Sequence, residues 1–155
     1  MKNTVKMTLT MIALAAALAD SAFAAKLVLD EGSWLRLEGD SSLHAYVSTA
    51  TALALRAELE PAASLKEAVA SGNVRAFELE IPVAGLRSGK DGLDKNLRSN
   101  LKALAHPSIL CKLDRASVEG STVALRGTLT GAGAERLGVV EGLARFEGNS
   151  VRVNG

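Results

Sequence analysis

Residues 81–113 read IPVAGLRSGKDGLDKNLRSNLKALAHPSILCKL, and three kinds of local pattern follow one another along them. The first three residues finish a run from Val74 that alternates with period two. Phe77, Leu79, Ile81 and Val83 fall on one side, and Ala76, Glu78 and Glu80 on the other. That is the period of a half-buried strand. Pro82 has no N–H to give to a ladder, which places it at the strand's end or at an edge. The pattern then changes: Leu93, Leu97, Leu101 and Leu104 recur at spacings of four, four and three, the stripe of an amphipathic helix. Asp91 is placed to cap its start, while Asp94 in the first turn and Lys102 near the end suit the helix dipole. Pro107 ends the helix, because it pushes His106 out of the α region. Ser108 to Leu113 is extended again.

Working outward, the rest of the chain reads mainly as strand. Thr122 to Thr130 follows a Gly120-Ser121 turn. Leu137 to Phe146 and Val151 to Val153 are weaker strands joined through Glu147-Gly148-Asn149. On the N-terminal side, Trp34 to Leu37 and Leu43 to Leu59 supply strands, with Gly39-Asp40 as the break between them. Val47 to Leu55 is rich in alanine and threonine, so its strand assignment rests on context. Residues 62–70 form a short helix with Leu65, Ala68 and Val69 as its apolar side. Many short strands with one or two helices in the connections give an antiparallel barrel or a sandwich. The pattern by itself leaves both open.

The N-terminus carries a different signal. Lys2 and Lys6 precede an apolar run from Met7 to Leu18, then a polar break at Asp20-Ser21, then Ala22-Phe23-Ala24. Basic, apolar and small-x-small segments in that order describe a secretory leader over residues 1–24, cleaved between Ala24 and Ala25. The apolar run is short of the ~20 residues that a membrane-spanning helix needs. The remaining 131 residues, 25–155, are enough for one domain with its own core. With Lys2, Lys6 and Asp20 set aside, 16 basic residues face 16 acidic ones. That balance argues against nucleic acid as a partner, since phosphate neutralisation needs clustered cation. Cys111 is the lone cysteine, so no disulfide closes within the chain. His44 and His106 are the only histidines, and no HExxH, CxxC, EF-hand, GxSxG, Walker or GxGxxG spacing occurs. No cofactor, no metal and no catalytic residues are expected.

The central stretch also resembles a known family. Ile81-Pro82-Val83-Ala84-Gly85-Leu86-Arg87-Ser88-Gly89-Lys90, followed by Gly92-Leu93-Asp94-Lys95-Asn96-Leu97, is similar to the "vPV-x-x-L-x-S-G-K-x-x-L-D-K-N-M" segment of the YceI-like family. Ala103 to Leu113, ALAHPSILCKL, is similar to its "L-K-A-x-x-x-P-x-I-x-F-x-L". Gly39-Asp40-Ser41-Ser42-Leu43-His44 resembles an early "G-x-S-T-L-H" element, and Gly127-Thr128-Leu129-Thr130 a "G-x-L-T-x-x-G" hairpin. The order and spacing of these pieces, from about Trp34 to the end, make the resemblance specific. It departs at Cys111, where a bulky residue is usual, and in the glycine-rich Gly131 to Leu137. Family members commonly continue with a further strand after the point where this chain stops at Gly155, so the expectation is a barrel lacking its final strand.

What the resemblance implies is an all-β fold: an antiparallel lipocalin-like β-barrel with one or two short helices in its connections. Its interior is expected to be apolar and elongated. The implied function is binding of a polyisoprenoid or similar amphiphile, without catalysis, in the periplasm or outside the cell. The implied partners are that lipid-like ligand and, at most, a second copy of the chain. Trp34, Leu43, His44, Phe77, Leu79, Ile81, Val83, Leu97, Leu101, Ile109 and Cys111 are the candidate residues of the lumen or its mouth.

Each of these has a plainer reading beside the functional one. His44 fits a hydrogen-bonded histidine that orders a strand better than a ligand donor, and His106 fits a turn. Asp94, Lys95 and Asn96 resemble a charged cluster in sequence, yet on a helix they spread over about 200°. Docking of the helix onto the Ser88-Gly89-Lys90 loop accounts for them. Cys111 reads as a small buried hydrophobe. Two other functions stay in view: a barrel filled with side chains that acts as a structural or interaction module, and an accessory binder of a quinone or haem-like group. Lumen volume separates the first from a carrier, and visible absorption exposes the second.

Overall fold

The computed structural model describes residues 5–8, 10–17, 25–40, 45–72 and 74–154. Eleven strands and two α-helices occur in them: β1 Val5–Thr8, β2 Thr10–Ala17, β3 Ala25–Leu29, β4 Leu35–Asp40, β5 Ala45–Ala50, β6 Ala54–Leu59, α1 Leu65–Ala70, β7 Val74–Pro82, α2 Asp91–Asn100, β8 Ser108–Glu119, β9 Thr122–Gly131, β10 Ala134–Glu147 and β11 Ser150–Asn154. Eight strands close an antiparallel ring in the order β10-β11-β2-β3-β6-β7-β8-β9, and β1-β4-β5 form a separate three-stranded sheet. This is the lipocalin-like barrel rather than the sandwich.

β7, β8 and β9 follow from the sequence directly. Alternation within β7 puts Leu79 and Ile81 inside, at 1% and 0% exposure. Pro82 is its last residue, with a 3₁₀ turn at Val83–Gly85 beyond it. Gly120 supplies the left-handed φ of +62° that the tight β8–β9 turn requires. β8 carries a register irregularity between Leu113 and Arg115. There Gly127 lies so close that a Cβ would strike the Lys112 carbonyl, so only glycine fits opposite the bulge.

Around β10 the side-chain pattern is inverted. Its inward positions, in register with Leu129, Gly127 and Leu125, are Arg136, Gly138 and Val140. Its large apolar residues Leu137, Val139 and Leu143 are exposed on the outer surface.

Several local expectations need correction. Gly39 and Asp40 do not break a strand: they end β4, paired with Tyr46 and Ala45. The segment from Leu43 to Leu59 is two strands in different sheets, β5 and β6. The leucine stripe is shorter than its spacing implied. α2 ends at Asn100, Lys102 has φ +52°, and Ala105 and His106 both donate backbone N–H bonds to the Lys102 carbonyl. The chain therefore leaves helical geometry before Pro107, and Leu104 projects outward at 106% exposure while Leu97 is buried. Asp91 is the first helical residue, and the capping position is Lys90, which makes no side-chain cap bond.

α1 keeps the apolar side expected of it. Leu65, Ala68 and Val69 are buried, and the Ser64 hydroxyl accepts the Glu67 N–H at 3.2 Å. It packs on β8, where Gly72 sits against the Ala116 carbonyl.

Two features of the N-terminal third lie outside the sequence reading. Ala25–Leu29 is a strand, paired with both β2 and β6. β2 itself, drawn from the stretch read as a leader, stands between β3 and β11: Leu14 pairs with Leu29 on one side and Val151 on the other. The ring is complete through this strand.

Candidate functional site

Neighbouring strands share inward rows of side chains. One such row runs Leu55, Leu79, Cys111, Leu129, Arg136 across β6, β7, β8, β9 and β10. The next row toward one end of the barrel contains Ile81, Ile109, Gly131 and Ala134. A chamber of about 300 Å³ opens there. It is lined by Leu37 and Tyr46 from the small sheet, Leu97 from α2 and Leu101 just past its end, and Ile109, Leu129, Gly131, Ala134 and Arg136 from the barrel strands, with Ala132 from the β9–β10 turn. Glycine and alanine at three of these positions, Gly131, Ala132 and Ala134, are what leave it open, since their side chains reach no further than Cβ.

Three contacts hold the cover of this chamber in place. Thr49 and Arg87 exchange both backbone N–H bonds, at 2.8 and 2.9 Å, tying β5 to the loop that precedes α2. The Val83 N–H donates to the Pro107 carbonyl at 2.8 Å, joining the two ends of the excursion. Asp94, buried, accepts from the Ser88 N–H at 2.7 Å and from the Ser88 hydroxyl at 2.6 Å. The Ser88 hydroxyl and N–H, in that order, hold the Asp94 carboxyl below the usual carboxylate range. The docking role read for Asp94 is thus seen in the contacts it makes.

A second, smaller cavity of about 60 Å³ lies toward the other end. Leu27, Leu59, Val69, Phe77, Leu113, Ala116, Val123, Leu125, Ala144, Phe146, Val151 and Val153 line it, all of them apolar. No residue borders both cavities. α1 contributes Val69 here, so that helix borders this cavity.

The candidate residues divide accordingly. Leu97, Leu101 and Ile109 line the larger chamber, and Phe77 the smaller cavity. Leu79, Ile81, Val83 and Cys111 are buried but border neither; they pack as core. Burial pushes the Cys111 thiol pKa up, which keeps it protonated and poorly nucleophilic. Trp34 is half-buried just before β4 and lines neither space. Leu43 and His44 lie outside the described residues. His106 packs against the β9–β10 turn, close enough that a Cβ on Gly133 would stand 2.8 Å from its Nε2.

The sequence reading missed Arg136, Tyr46 and Leu37. Arg136 is the single charged residue among those lining the chamber, and among the described residues no carboxylate pairs with it. Its signal lay in the register of the β9–β10 hairpin, which places it beside Leu129. No group of three or more histidine, cysteine, aspartate or glutamate side chains gathers to hold a metal among the described residues.

No protein-family model matches the chain, and no curated protein matches it. Solved structures do. Burkholderia cenocepacia BcnA, a YceI-like protein, is 12% identical over 89% of this chain and 69% of its own, with a TM-score of 0.53. The Campylobacter jejuni YceI protein, in a mutant crystallised with a monobromobimane guest, is 18% identical with a TM-score of 0.49. Another crystal structure of that protein gives 15% and 0.48. In both cases 61% of this chain is covered, and the chain spans only 52% of the Campylobacter protein. The likeness to BcnA carries the fold alone: this chain's barrel is similar to that of a YceI-like protein.

Proposed function

We propose that this chain is an exported carrier that holds a lipid-like amphiphile in the larger chamber at one end of its barrel and performs no chemistry of its own. The observation that carries the reading is the chamber itself. It is about 300 Å³ in volume, walled by Leu37, Leu97, Leu101, Ile109 and Leu129, and left open by Gly131, Ala132 and Ala134. An apolar recess with a few polar groups at its rim suits a molecule with a chain and a head. Export is supported by the order of basic, apolar and cleavable segments in residues 1–24.

Magnitudes indicate what such a site can hold. Each buried methylene contributes about 0.8 kcal/mol. Ten of them give roughly 8 kcal/mol, which is comparable with the ~4–15 kcal/mol that association costs in lost freedom and ordering. Chain burial alone is therefore marginal, and a contact to the head group decides whether binding is measurable.

The alternative is a filled barrel that acts through its surface. It draws on the packed positions Leu79, Ile81, Val83 and Cys111, which occupy the interior without bordering either cavity. Mass spectrometry of solvent extracts from protein purified natively out of a bacterial periplasm separates the two. A stoichiometric amphiphile supports the carrier. An empty extract from well-folded protein, recovered from that compartment, shifts the reading to an interaction module. Recovery of the chain only in the cytoplasm, with residues 1–24 still attached, overturns the export part.

A further inference from the structure

The chamber's charge and size narrow what it would carry; this step rests on the carrier reading above. Arg136 stands on the inward face of β10, level with Leu129, and is the one charged residue bordering a recess whose other lining residues, Tyr46 aside, are apolar. Among the described residues no carboxylate neutralises it. A cation at the rim of an apolar recess is complementary to one class of molecule: an anionic head on an apolar tail. Guanidinium pairs with carboxylate or phosphate oxygens through parallel N–H donors.

Volume sets the tail. A methylene takes up about the space of a water molecule, roughly 30 Å³, so a 300 Å³ chamber takes a chain of about ten carbons. The smaller cavity adds no length, because it shares no wall with the chamber. We infer that the chamber selects a short-chain anionic amphiphile, a carboxylate or phosphate head seated on Arg136 with a tail of about eight to twelve carbons between Leu97, Leu101 and the barrel wall at Ile109 and Leu129.

Titration calorimetry on natively purified, delipidated protein tests this with decanoate, decyl phosphate, decanol, decyltrimethylammonium and octadecanoate, all below their micellar concentrations. Arg136 is exposed and partly screened by solvent, so the two anions are expected to bind about five- to tenfold tighter than decanol, with the gap closing as salt rises. The cation is expected to bind weakest and octadecanoate more weakly than decanoate. Arg136→Gln removes the preference for anions, so that decanoate and decyl phosphate bind no tighter than decanol to the same variant, and Arg136→Glu reverses it. Leu101→Trp, which fills the recess, weakens all the decyl ligands together. If decanol binds as tightly as decanoate, or Arg136→Gln leaves the order unchanged, the head-group assignment is wrong while the carrier reading stands. If affinity keeps rising to octadecanoate, the length limit is wrong. If no ligand binds to folded protein, the carrier reading itself fails.

Discussion

Ser88 donates two hydrogen bonds to one atom of Asp94: its backbone N–H and its hydroxyl both reach Oδ1, at 2.7 and 2.6 Å. The pair closes the loop that leads into α2, the helix that roofs the larger chamber. Asp94→Ala leaves the Ser88 N–H without its acceptor and releases that loop. The expected result is a melting temperature lower by several degrees and weaker ligand binding, with the barrel's far-ultraviolet circular dichroism retained.

The same contact sets a pH dependence. The Asp94 carboxyl is lowered in the folded protein, first by the Ser88 hydroxyl and then by its N–H. A group depressed on folding stabilises the native state above its unfolded pKa of about 3.9 and loses that contribution as pH falls through the folded value. Denaturant unfolding from pH 7 to pH 3 is expected to show this loss in the native sequence below about pH 4. In Asp94→Asn the loss is smaller. An identical acid slope in the two proteins means the contact carries no linkage.

Gly127 faces the bulge in β8, where a side chain has nowhere to go. Gly127→Ala pushes a methyl group into backbone, which no rotamer change relieves. Overpacking of this kind costs about 1–3 kcal/mol or more, to be read from urea unfolding. Gly148→Ala, in the open β10–β11 turn with φ +58° and nothing near its Cβ, provides a control in which only backbone strain changes.

The leucines of the helical stripe should separate sharply. Leu97 is buried under the roof of the chamber, whereas Leu104 projects into solvent. Leu97→Ala is expected to destabilise by about 2–4 kcal/mol. Leu104→Ser is expected to fall within about 0.5 kcal/mol of the native protein. Chemical denaturation of both variants measures the contrast.

That contrast also shows where reading the chain succeeds and where it stops. β7 was legible because one face is buried and the other solvated, so Phe77 to Val83 alternates cleanly. The barrel class was legible only through the resemblance carried by the block from Ile81 to Leu113, since the pattern of strands and helices left barrel and sandwich both open. Leu104 misled because spacing records which face a residue would occupy, not where the helix ends; the turn at Lys102 has no strong sequence marker. β10 was the hardest strand, since Gly138 points inward while Leu137 and Val139 point out. Arg136 escaped notice for the same reason: an arginine on the inner face contradicts hydrophobic patterning, and only the pairing with Leu129 reveals it. Leu79, Ile81 and Cys111 were correctly placed inside, but being inside a barrel does not put a residue on a cavity wall.

Starting the chain at Ala25 removes β2, the strand to which both β3 and β11 are bonded. Their outer backbone groups then lack a partner, and exposed edges of this kind invite pairing with another chain. Amide exchange in β3 and β11 is expected to be faster in protein that begins at Ala25 than in protein that retains residues 1–24. Equal protection in the two forms means that another segment fills the gap.

The position of β2 has a consequence in time. If residues 1–24 act as the export leader proposed above, the eight residues from Thr10 to Ala17 have two claimants, since an export apparatus must grip an extended, accessible leader while the ring binds the same backbone on both sides. A chain that completes its barrel before translocation hides its own address. Delivery and closure are then rival fates, decided by whichever captures Thr10 to Ala17 first, and a holdase that delays folding would favour secretion without ever contacting the ligand chamber.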